Sequence, residues 1–159
     1  MSRKLTALLA FAAAMIATPC VWAEGSVADV TDMQALRAAV KTDKKALVVT
    51  TLALTDAEAK KFWPIYDAYQ RAIDAANRKR NVAIEGLISR DKPISDPYAK
   101  ALMKDLFDAD DAEVSARRTM QNRLMRAMSA KKVARYVQLE AKIRATQAYD
   151  IAATFPLVK

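Results

Sequence analysis

The sequence holds no histidine, one cysteine and two glycines, and each scarcity excludes chemistry. Without histidine there is no Ser–His–Asp or Cys–His relay and no two-histidine zinc-protease motif. The usual Zn, Ni or Co site also loses its best ligands. The cysteine, Cys20, falls in an N-terminal leader, so the rest of the chain has no thiol or disulfide and must be held by packing. Gly25 and Gly86 cannot build either common phosphate-cradling loop, which needs several glycines at fixed spacing. Only five prolines occur, two of them in one short segment, and the long stretches between prolines are rich in Ala, Leu, Lys, Arg and Met. That composition predicts an all-α protein.

The leader is legible from its three regions. Arg3 and Lys4 are positive, Leu5 to Ala17 form an apolar run, and Val21-Trp22-Ala23 is a small-x-small cleavage site. The apolar run is shorter than the ~20 residues that a bilayer-spanning helix needs. Anchoring through Cys20 is disfavoured, because Pro19 stands where a small residue is wanted. The expectation is export, with residues 1–23 removed and residues 24–159 forming a single all-helical domain. The formal charge of +8 then drops by two.

The clearest helix start is Thr55 with Glu58, a capping box in which each side chain binds the other's backbone N–H. From there Phe62, Ile65, Tyr66, Tyr69, Ile73, Ala76, Ala83 and Leu87 recur at helical spacing. Phe62, Trp63, Tyr66 and Tyr69 concentrate aromatic area and predict the core. Pro64 lacks an N–H, and its ring meets the Lys60 carbonyl. A kink near Lys60–Trp63, or a new helix beginning at Pro64, is expected; either way this helix is bent.

Four helices are predicted. Thr31 and Gln34 make a second capping box for a first helix reaching about Thr51, with Met33, Leu36, Val40 and Leu47 on its inner face. Val48–Thr51 is β-branched, but no second strand-like segment offers it a partner. The second helix runs from Thr55 to about Ser89. Residues 90–97 form a loop in which Asp96 is the expected cap and Pro97 the first helical residue. The third helix reaches about Met128, with Leu102, Leu106, Ala109, Ala116, Met120, Leu124 and Met128 along one side. Ser129 is the expected cap of the fourth, whose inner face is Val133, Tyr136, Val137, Leu139, Ile143 and Ile151, and which ends at Pro156. No Gly or Pro forces a break between helices three and four, so continuous and bent versions stay open.

Met120, Met125 and Met128 are candidates for a soft copper site, although Met at helical spacing is the ordinary filler of a core. Asp105, Asp108, Asp110, Asp111 and Glu113 lack the glycine and loop of a calcium site. They read as a solvated face in which Glu113 pairs with Arg117, four residues on. Charge is unevenly spread. Residues 114–144 hold Arg117, Arg118, Arg123, Arg126, Lys131, Lys132, Arg135, Lys142 and Arg144 against Glu140 alone. A merely solvated basic face and a surface that steers acidic partners both fit this pattern.

With these residues in view, the chain resembles the Spy/CpxP-like periplasmic proteins, which carry a repeated Leu-Thr-x-x-Gln motif. Leu54-Thr55-Asp56-Ala57-Glu58 matches the first copy with Glu for Gln, and Met128-Ser129-Ala130-Lys131-Lys132 stands where a second would be. The Phe62-Trp63-Pro64 block and the ending Ile151–Val158 look like a divergent branch. The resemblance implies a bent helical hairpin with long second and third helices, often a cradle-shaped homodimer, that works in chaperoning, envelope-stress adaptation or metal sensing.

The leading expectation is therefore a periplasmic protein-binding protein without a cofactor. Unfolded protein or an acidic envelope partner would be met by the basic segment Arg117, Arg118, Arg123, Arg126, Lys131, Lys132 and Arg135. Nucleic acid is disfavoured by export. A metal-responsive sensor using Met and carboxylates is the alternative, and a hydrolase acting through a carboxylate pair comes third.

Overall fold

Helix boundaries follow from which side chain satisfies the first free N–H groups of each helix. The computed structural model describes residues 32–158. Helix α1 (Met33–Leu52) starts at Asp32, whose carboxylate accepts from the Gln34 and Ala35 N–H groups at 2.8 and 3.1 Å. The cap is thus Asp32 and not Thr31, which lies outside the described residues, as do the leader 1–23, Cys20 and Gly25. Helix α2 (Asp56–Ile88) starts with the expected box: the Glu58 N–H donates to Thr55 Oγ1 at 3.3 Å, and the Thr55 N–H donates to Glu58 Oε2 at 2.8 Å.

Helix α3 (Asp96–Ala127) is capped by Ser95, which accepts from the Tyr98 N–H, and not by Asp96. Asp96 instead opens the first turn, where a negative charge suits the helix dipole. Helix α4 (Ala130–Thr154) follows a real break, because Met128 and Ser129 are both extended. Ser129 occupies the cap position, yet its hydroxyl makes no capping bond, against expectation.

The helix break also lies elsewhere than Pro64 suggests. Helix α2 passes unbroken through Pro64, which sits on its exposed side. Asp43 is the residue that leaves helical geometry, at φ −160° and ψ 96° inside α1. Its carboxylate accepts from the Ala46 N–H at 2.9 Å, so Asp43 acts as an internal cap that restarts the helix. Val48–Thr51 is helical in the second half of α1, and Val48, Thr51 and Leu52 are buried. Ala53 then stops α1 in the left-handed region at φ 44°, where glycine is the usual residue.

Helices α2 and α3 form an antiparallel hairpin across residues 89–95, and α1 lies antiparallel to α4. The two pairs meet over one apolar cluster of Leu36, Leu47, Val48, Leu52, Phe62, Ile65, Tyr66, Tyr69, Ile73, Met120, Leu124, Val133, Tyr136, Leu139 and Ile143. Phe62 centres it: its ring packs edge-on to Tyr136 and to Trp63, each with centroids 5.1 Å apart. Trp63 is half-buried beside the Lys45 ammonium, at 5.5 Å. Met33, assigned to the inner face, is exposed, and Ile84 rather than Ala83 is buried in α2. Among the described residues no helix is long and apolar enough to cross a membrane.

Candidate partner-binding surface

Of the seven residues in the basic segment, five remain free at the surface and two do not. Lys132 is structural. Its ammonium donates to Glu58 Oε2 at 2.6 Å and to the Ala53 carbonyl at 3.3 Å, tying the start of α4 to both ends of the α1–α2 connection. The Lys132 ammonium, followed by the Thr55 backbone N–H and hydroxyl, holds the Glu58 carboxyl down at about 2. Leu54 is half-buried against the core beside this junction. The motif residues Leu54, Thr55 and Glu58 therefore build a joint between three helices rather than an open site.

Arg117 is the second exception. Glu113 does not pair with it; Glu113 binds Arg80 and Arg144, both at 3.1 Å, across the helix interfaces. An exposed pair four residues apart contributes only about 0.2–0.5 kcal/mol. Contacts between half-buried groups gain more from the lower local dielectric, and they win. Arg117 is left half-buried on the α3 side that faces α4.

Arg118, Arg123 and Arg126 on α3 and Lys131 and Arg135 on α4 are exposed and, among the described residues, carry no ion pair. Arg118, Met125 and Arg126 lie at i, i+7 and i+8, hence on one face of α3. Met125 is 50% exposed between the two arginines. Lys131 and Arg135 are one turn apart on α4, just across the Met128–Ser129 break. The surface thus combines uncompensated positive charge with an apolar side chain. The three methionines do not converge: Met120 is in the core, Met128 packs against it, and Met125 points to solvent.

Carboxylates inside the molecule are committed. A cleft of about 700 Å³ between α2, α3 and the second half of α4 is lined by Asp110, Glu113 and Asp150. Asp110 and Glu113 bind Arg80, and Asp150 binds Arg37. Glu140, the one acid of the basic segment in the sequence, is buried; it accepts from Lys44 at 3.2 Å, and the Tyr136 hydroxyl lies 3.5 Å away. Burial, and then the Glu140 charge, push the Tyr66, Tyr69 and Tyr136 hydroxyls up. A signal for Glu140 was present, since it falls on the inner stripe between Val133 and Ile143. Among the described residues no cluster of three Asp, Glu, His or Cys side chains is placed to hold a metal.

Comparison with family models, curated proteins and solved structures gives no match for this chain.

Proposed function

We propose that the protein is an exported, cofactor-free protein-binding protein, chaperone-like or an envelope-stress adaptor, as the resemblance to Spy/CpxP-like proteins implies. The observation that carries this reading is the outer face of α3 and α4. Arg118, Arg126, Lys131 and Arg135 are exposed and uncompensated there, near the exposed Met125, while the exposed Arg123 borders the α2–α3 groove. Positive charge raises the encounter rate with an acidic or unfolded chain, and apolar contact then slows its release. Nothing in the placement of the methionines favours the copper-sensing alternative.

Reversing Arg126, Lys131 and Arg135 to Glu tests the proposal. Association with an unfolded acidic client should slow by about tenfold at low salt and lose its salt dependence, with helix content unchanged. Met125→Ser should instead speed dissociation. A wild-type association rate that is flat with salt in stopped-flow mixing would reduce this surface to a solvated face.

A further inference from the structure

Between α3 and α4, beneath the exposed basic surface, is a recess of about 210 Å³. A water occupies about 30 Å³ of liquid volume, so the recess has room for a small solvated group and not for a folded partner. Arg117, Arg118 and Gln121 line it from α3, and Glu140 and Arg144 line it from α4.

The charges around it do not cancel. Glu140 is already bound to Lys44, and Glu113, on the neighbouring turn, is shared by Arg80 and Arg144. Arg117 and Arg118 have no carboxylate partner among the described residues. The Nε atoms of both Arg117 and Arg144 are buried without a hydrogen-bond acceptor. Buried N–H donors are nearly always satisfied, and the two side chains that carry these unmet donors both line this one recess. An ion with several negative oxygens meets that need, because guanidinium forks match phosphoryl geometry.

We propose that this recess is an oxyanion site for a phosphate-class group, held by Arg117 and Arg144 with Arg118 at its rim. The group is either free phosphate or the headgroup phosphate of a lipid, and these share one chemistry. Arg117 and Arg144, which would hold the ion, are not among the exposed residues that carry the protein-binding proposal; Arg118 borders both.

Inorganic phosphate should raise the melting temperature of the full chain in a saturable way, beyond sodium chloride at matched ionic strength. Calorimetric titration should show phosphate affinity falling about tenfold or more in Arg117→Ala. Arg117→Lys, which keeps the charge and loses the fork, should also bind more weakly. Arg135→Ala, at the exposed surface, should bind phosphate as the wild type does. Co-sedimentation with phosphatidylglycerol vesicles distinguishes the sources: Arg117-dependent pelleting identifies a headgroup, and phosphate binding without such pelleting identifies the free ion. Equal stabilisation by chloride, or undiminished phosphate binding by a folded Arg117→Ala, overturns the site.

Discussion

Single side chains in this protein do more than one structural job, and Glu58 is the clearest. Its carboxylate completes the cap of α2 and anchors Lys132 of α4. Its carboxyl titrates at about 2 in the folded chain against an ordinary 4.5, through Lys132 first and Thr55 second. The folded state therefore holds this proton less readily than the unfolded one. The stability it contributes is complete above about pH 4.5 and is lost as pH falls through about 2. Melting temperatures of wild type and Glu58→Gln should differ at neutral pH and converge across that window; parallel curves would show that the carboxylate is not the linked group. The capping box was legible in sequence, because its two members lie three residues apart. Lys132, as the third partner, was not, because it is brought in by the antiparallel approach of α1 and α4.

At the scale of elements, helix-breaking residues and helix breaks do not coincide. Pro64 lies inside an unbroken α2 on its exposed side, whereas α1 is interrupted at Asp43, a residue whose carboxylate caps the second half of that helix. Tertiary packing on Phe62, Ile65 and Tyr66 holds α2 together across the missing hydrogen bond. Replacing Pro64 with Ala restores an N–H donor and removes the ring clash without emptying any buried space. Urea unfolding should show Pro64→Ala more stable by roughly 1–3 kcal/mol with an unchanged helical signal. A less stable variant would mean that the ring itself packs usefully.

Across the whole molecule, packing is uneven. The main cluster joins all four helices around Phe62 and Tyr136, while Ala76, Ile84, Leu87, Leu102 and Ala109 are buried in the distal part of the α2–α3 hairpin, outside it. Regions with fewer buried apolar contacts open more readily than the core. Amides of residues 84–106 should exchange with solvent about tenfold or more faster than those of Phe62–Tyr69 and Val133–Ile143, measured by hydrogen exchange. Uniform protection would show the bundle opening as one unit.

The all-helical architecture and most inner faces were determined by sequence alone, since apolar periodicity and Thr55–Glu58 capping act within a few turns. Phe62, Tyr66, Tyr69, Leu124, Tyr136 and Ile143 are buried where that periodicity places them. Caps one residue off, at Asp32 for Thr31 and Ser95 for Asp96, reflect competition between adjacent polar side chains that local rules rank almost equally. Only the tertiary structure decided which charges are spent and which are free. Glu113 leaves its neighbour Arg117 for Arg80 and Arg144, Lys132 is consumed at a joint, and Glu140 is buried against Lys44. Each choice depends on distances between helices far apart in the chain, where a half-buried ion pair outweighs the few tenths of a kcal/mol of an exposed pair on one helix.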